Sequence, residues 1–191
     1  MMTTLAPTLS QRLLPNTHRL VRDLMLVLGG SILVAAAAQF RIFLPFSPVP
    51  ITGQTLAVLL VGTALGARRG VSSLLLYVIM GVIGLPFFAG TAHGLSYLTG
   101  ATGGYLIGFV IAAYVVGLMA ERGLERDFRT ALLPFLIGEA LIYFVGISWL
   151  ALNLNNLHQA LALGFYPFLL GDAIKILMAG ALLPTIWKFV R

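Results

Sequence analysis

Near its C-terminus the chain reads Pro167-Phe168-Leu169-Leu170-Gly171-Asp172-Ala173-Ile174-Lys175-Ile176-Leu177-Met178-Ala179-Gly180-Ala181-Leu182-Leu183-Pro184, an apolar run broken by only two charges. Its length approaches the roughly 20 residues that carry an α-helix across a hydrocarbon core. Asp172 and Lys175 stand three apart and share one helix face. Counted from Pro167 at the outer boundary, they lie about 8 and 12 Å deep, in the outer half of the membrane. Charges inside a span are costly and mark function by default, although an internal ion pair that neutralises both residues is the structural alternative. Leucines would fill the same space at less cost. The functional reading gives Lys175 an anionic ligand group and lets Asp172 accept hydrogen bonds from ligand N–H or O–H donors. A small amphipathic anion arriving from outside fits that pair.

The rest of the chain has the same character. Of 191 residues, 59% are hydrophobic and 9% charged, with a mean hydropathy of +0.99. A soluble domain needs about a quarter of its residues charged, so most of this surface faces lipid. The net charge of +6 comes from isolated basic singlets and pairs rather than a continuous basic face, which argues against nucleic acid. There is no cysteine, and His18, His93 and His158 are far apart, so no metal, cofactor or redox centre is expected.

Charges and turn residues divide the chain into six apolar lengths, about 23–43, 54–67, 71–88, 103–120, 131–152 and 167–188. The expected fold is an all-α integral membrane protein with six transmembrane helices. Residues 1–22 form a leader and residues 23–191 one membrane domain. The second length covers only about 21 Å, so it is broken, thinned against, or begins inside the protein, after a segment with Pro45, Pro48 and Pro50 that cannot be helical. Arg12, Arg19, Arg22, Arg68, Arg69, Arg122, Arg126, Arg129, Lys188 and Arg191 all fall on one side, and Arg41 alone on the other. The excess of basic residues in cytoplasmic loops places both termini in the cytoplasm and the chain in the cytoplasmic (inner) membrane as a multi-pass protein. Residues 24–38 with Ala36-Ala37-Ala38 could also be read as a signal peptide, but the basic leader is long for one. Ser31, Ala35 and Ala36, with Ala38 nearby, make a small-residue face that packs either within the subunit or against a partner helix.

Two further outer segments carry polar atoms. In Pro48-Val49-Pro50-Ile51-Thr52-Gly53-Gln54-Thr55, hydroxyls and an amide follow the prolines. In residues 85–105, Phe87 and Phe88 precede a glycine-rich turn ending Thr102-Gly103-Gly104-Tyr105. Backbone N–H groups at that helix start could cradle an anion or carbonyl, while close packing through Gly100, Gly104 and Gly108 accounts for the glycines equally well. No Walker motif is present. Glu139 lies about 12 Å from the cytoplasmic end of span 5, in the half opposite Asp172 and Lys175. It reads as a structural residue, with proton coupling as the alternative.

Taken together, several segments resemble the BioY proteins, biotin-specific S components of energy-coupling factor transporters. They are Pro48-Val49-Pro50-Ile51-Thr52-x-Gln54-Thr55-Leu56, Leu65-Gly66-x-Arg68-Arg69-Gly70, Gly84-Leu85-Pro86-x-Phe88-Ala89-Gly90, Thr102-Gly103-Gly104-Tyr105-Leu106-x-Gly108-Phe109 and Gly171-Asp172-x-x-Lys175. The resemblance implies a six-helix subunit with biotin bound near the extracytoplasmic face. Asp172 and Lys175 match the family's binding pair; Thr52, Gln54, Phe88, Gly103, Gly104 and Tyr105 fall in its pocket segments. The face of Ser31, Ala35 and Ala36 would dock a transmembrane coupling subunit, and two ATPase subunits would supply energy; a homo-oligomer is the assembly left open. Gly53 and His93 depart from the family pattern. Other readings are an S component for another small anionic vitamin, an intramembrane enzyme using Lys175 and Asp172, and a proton-coupled secondary carrier.

Overall fold

Lipid offers no hydrophobic drive for helix association, so helices in it approach through small residues, and this chain is organised that way. A computed structural model describes residues 4–190; residues 1–3 of the expected leader and Arg191 of the basic count lie outside the described residues. The helices are α1 (Leu5–Leu13), α2 (Arg19–Gln39), α3 (Gln54–Leu65), α4 (Ala67–Val82), α5 (Leu95–Thr99), α6 (Gly103–Ala120), α7 (Phe128–Leu154), α8 (Leu157–Gly164) and α9 (Leu169–Val190). A two-residue ribbon, β1 (Arg41–Ile42) antiparallel to β2 (Ile51–Thr52), pairs Arg41 with Thr52 and Ile42 with Ile51. The fold is therefore mostly helical rather than wholly so.

At the crossings of α3, α4 and α6, Gly62 lies on the Ala113 backbone, Gly70 on Gly62, and Gly117 on Ala67. A side chain at any of these would force the helices apart. Gly104 and Gly108 of α6 lie against Trp149 and Ile142 of α7, and Gly146 of α7 receives the Tyr105 ring. Helix α6 is thus central, with 61% of its apolar window buried against 22% for the peripheral α2.

Among the described residues, four helices are long and apolar enough to cross a membrane: α2, α6, α7 and α9. The other two expected spans are shorter, at 12 residues for α3 and 16 for α4. They meet through the single residue Gly66, at φ 83° and ψ 174°, a conformation open essentially to glycine. Arg68 and Arg69, expected in a connecting loop, instead occupy the first turn of α4, whose Ala67 N–H donates to Glu121 Oε1 at 2.9 Å. Helix α2 starts four residues earlier than expected, where His18 Nδ1 accepts from Leu20 N–H. Part of the expected leader is itself α1, which docks on the bundle with Leu5 buried.

The connections differ sharply between the two ends. Residues 40–53, 83–102 and 155–168 join helices at one end and are long; at the other, α3 passes to α4 through Gly66, and α6 to α7 through residues 121–127.

Candidate functional site

The three long connections converge on one cavity. Prolines prevent helix in 44–50, and the β1–β2 ribbon closes that segment into a loop. Ser47 Oγ donates to the Leu163 carbonyl at 2.6 Å, tying the loop to α8. Thr52 Oγ accepts from the Gln54 N–H at 3.2 Å as α3 begins, so Thr52, Gln54 and Thr55 are presented together.

Helix α9 supplies the charged pair. Asp172 lies in its first turn, where a carboxylate complements the positive helix end. Lys175 Nζ donates to Asp172 Oδ1 at 2.8 Å, to the Thr52 carbonyl at 2.7 Å and to Thr55 Oγ at 3.0 Å. Thr55 Oγ donates to Asp172 Oδ1 at 3.2 Å, and the Tyr143 hydroxyl donates to Asp172 Oδ2. All three ammonium protons and both carboxylate oxygens are engaged, with Asp172 only 4% exposed. The pair is thus an internal salt bridge, and it also lines the cavity. A ligand acceptor can reach Lys175 by taking the place of a neutral oxygen, Thr52 O or Thr55 Oγ, while the charge pair persists.

The cavity is small, with about 50 Å³ free for a solvent-sized occupant, and has an open mouth. Val49, Leu106, Phe109, Ile142 and Phe168 form apolar wall, and Tyr97, Tyr105 and Tyr143 contribute rings. Tyr105 is held by its hydroxyl, which donates to the Gly164 carbonyl at 2.8 Å. Burial pushes the Tyr97 hydroxyl above its ordinary pKa. A few convergent polar groups in a mostly apolar concavity are the hallmark of a small-molecule site.

Of the residues singled out from sequence, Thr52, Gln54, Tyr105, Asp172 and Lys175 meet at this cavity. Phe88, Gly103 and Gly104 are not part of its wall. Phe88 is fully buried behind it, stacked on Tyr97 at 4.9 Å and edge-on to Tyr77 at 5.6 Å. There it supports Tyr77, whose hydroxyl accepts from Gln54 Nε2 at 2.6 Å. Gly103 and Gly104 lie against the Leu98 carbonyl and Trp149, so their small size serves helix packing.

Glu139 corrects a second expectation. It lines the same cavity, beside Asp172, rather than the opposite half. Helix α7 continues about 16 Å from Tyr143 to Leu154, yet Tyr143 touches Asp172 in the first turn of α9. Residues 155–168 therefore fold back before α9 begins, so a depth counted from Pro167 does not give the level of Asp172 relative to α7. A third correction concerns α2. Ser31 and Ala35 are buried inside this chain and closed to a separate helix, while Ala36 faces outward. Tyr143 and Glu139 were not foreseen as cavity residues; their i, i+4 spacing with Gly146 on an otherwise apolar helix is the signal that marks them.

A family model described as the BioY family matches residues 4–191. The biotin transporter BioY of Thermotoga maritima is 38% identical over 138 residues, covering 72% of this chain and 80% of that protein. Its namesake in Rhizobium etli is 36% identical over 169 residues, covering 84% and 90%. Among solved structures, the S-component for biotin from an ECF-type ABC transporter aligns with a TM-score of 0.80 at 25% identity, covering 88% of this chain and 92% of that one. With its polar pair, its cavity and its helical frame all in place, the chain belongs to the BioY family.

Proposed function

We propose that this chain is the biotin-binding membrane subunit, the S component, of an energy-coupling factor transporter, and that it takes up biotin. The observation that carries this reading is the Asp172–Lys175 pair opening into an apolar, aromatic-walled cavity in a chain whose relatives are named biotin transporters. It is a transport protein and not an enzyme. Biotin matches the cavity by chemistry. Its carboxylate suits Lys175, its ureido N–H groups suit Asp172 or the Gln54 amide, and its bicyclic ring suits the wall of Tyr97, Tyr105 and Phe168.

The finer reading has six membrane-crossing helices, α2, α3, α4, α6, α7 and α9, in the cytoplasmic membrane. Residues 1–22 lie on the cytoplasmic side with both termini, and the cavity opens to the outside. It is supported by the arginines gathered at the end opposite the cavity, since basic residues stay on the cytoplasmic side. The short α3 and α4 are matched to the bilayer by the loops and by local thinning. A transmembrane coupling subunit docks on the outward face of α2 that carries Ala36, and two ATPases drive the cycle.

Equilibrium binding of labelled biotin to the purified full chain in detergent, with other anionic vitamins as competitors, tests the assignment. Saturable binding displaced by biotin alone is expected. Absence of binding, or equal displacement by an unrelated vitamin, would overturn it.

A further inference from the structure

At the end opposite the biotin cavity, α1 separates two openings. On one side is a polar crevice of about 1330 Å³, open mouth included, lined by Arg19, Arg22, Arg68 and Arg69 together with Asp23 and Glu121. Both carboxylates are already engaged. Asp23 Oδ1 accepts from Arg69 Nε at 2.8 Å, and Glu121 Oε1 caps Ala67. Among the described residues, Arg19, Arg22 and Arg68 have no carboxylate within salt-bridge distance, so the crevice carries excess positive charge. On the other side is an apolar groove of about 750 Å³ between α2, α3 and α9, where Met25, Gly29, Leu33 and Leu182 face outward. Leu65 lines both openings. Helix α1 turns Thr4, Pro7, Ser10 and Gln11 to the crevice and Leu5 and Ala6 to the groove.

We infer that the two openings form one binding site for an anionic phospholipid, its phosphate held by Arg19, Arg22 and Arg68 and an acyl chain laid in the groove beside Gly29. The chemistry of the walls selects this occupant. Arginine presents a fork of donors that matches phosphate, and basic pockets at the cytoplasmic level of a membrane protein favour anionic headgroups. The groove has almost no polar surface to hold anything but hydrocarbon, and it starts where the crevice ends. An amphipathic helix at that junction is suited to the boundary between headgroup and chain. In the free subunit the lipid would fill the gap between α2 and α9 and steady α1 against the bundle, and it would leave this face of α2 when the coupling subunit docks there.

The test uses the delipidated full chain in detergent, with dioleoyl phosphatidylglycerol, dioleoyl phosphatidylcholine and glycerol 3-phosphate as probes and native mass spectrometry as the readout. Phosphatidylglycerol should be retained about thirtyfold or more over phosphatidylcholine at low salt, as expected for two or three phosphate-facing arginines, and about 0.5 M NaCl should erase the preference through screening. Arg22→Gln combined with Arg68→Gln should bring the ratio to about one. Gly29, whose Cβ position is open space, accepts a larger residue without a clash, so Gly29→Leu should fill the groove and weaken retention of both lipids while the helix content is unchanged. Equal retention of the two lipids by the parent chain, a preference that survives the arginine substitutions or high salt, or full competition by glycerol 3-phosphate, which has no chain, would each overturn the inference.

Discussion

The two ends of the helical bundle solve different problems. At the arginine end the connections are short, Gly66 alone joins α3 to α4, and the arginines stay at the surface while Glu121 caps a helix, with Glu125 the buried exception. At the cavity end three long connections leave the helices early, and α9 begins well inside the Leu154 end of α7. Non-helical backbone at membrane depth is tolerated only where protein or a cavity covers it. Here the exposed Thr52 carbonyl is covered by Lys175 itself. The difference teaches where a site can form in this chain. Tight turns close one end, and interrupted helices make a polar cavity at the other.

If that division holds, substitutions at the cavity end change affinity and those at the arginine end change stability. The largest effect is expected from Lys175→Ala, which removes the one cation that lines the cavity among the described residues and should weaken biotin binding by at least about a hundredfold. Lys175→Arg should also bind poorly, because its planar fork does not replace a compact ammonium bonded to three oxygens. Calorimetric titration of the folded variants checks both. At the other end, Gly66→Ala should cost about 1–3 kcal/mol in denaturant titration while biotin affinity stays within twofold or so. Its φ of 83° disfavours any side chain, and the new Cβ would press on Glu121 Oε1, the cap of α4.

Smaller effects sharpen the comparison. Tyr143→Phe removes one hydrogen bond to Asp172 and should lower affinity by about tenfold, the size of one bond to a charged group. Glu125, fully buried in the turn between α6 and α7, tests the arginine end by pH. Burial raises its carboxyl above the ordinary carboxylate range, an effect partly offset by Arg126 and the Trp187 indole. The native state therefore holds that proton more tightly than the unfolded chain. Stability from this group is fully present below the unfolded carboxylate pKa and is lost as pH rises through the raised native pKa. Glu125→Gln should raise the thermal midpoint relative to the parent more at pH 8 than at pH 5, with biotin binding unaffected.

Much of this was legible in the amino-acid sequence because lipid imposes simple rules. Apolar runs located the helical segments, and a charged pair within one of them marked two residues that line the cavity. What was hidden depended on tertiary geometry. The depth of Asp172 could not be counted from Pro167, since α8 and the turn after it fold back before α9 starts. For the same reason the sequence separates Glu139 from the pair that it adjoins. A stripe of small residues has one signature whether it meets its own chain or another, so Ser31 and Ala35 were equally consistent with docking until their burial against this chain was seen. Phe88 falls in a segment that the resemblance assigns to the pocket, but aromatic residues also fill cores, and here it backs Tyr77 and Tyr97.

The central claim, that biotin reaches a cavity opening on the outer face, is tested most directly by thiol labelling, for which the cysteine-free chain has no background. Thr52→Cys, at the cavity wall, and Arg68→Cys, in the basic crevice, would be exposed in intact cells to a membrane-impermeant maleimide with and without biotin. The account predicts that Cys at position 52 is labelled from outside and protected by biotin, while Cys at position 68 reacts only after the membrane is opened. Labelling of position 68 in intact cells, or labelling of position 52 that biotin leaves unchanged, would contradict it.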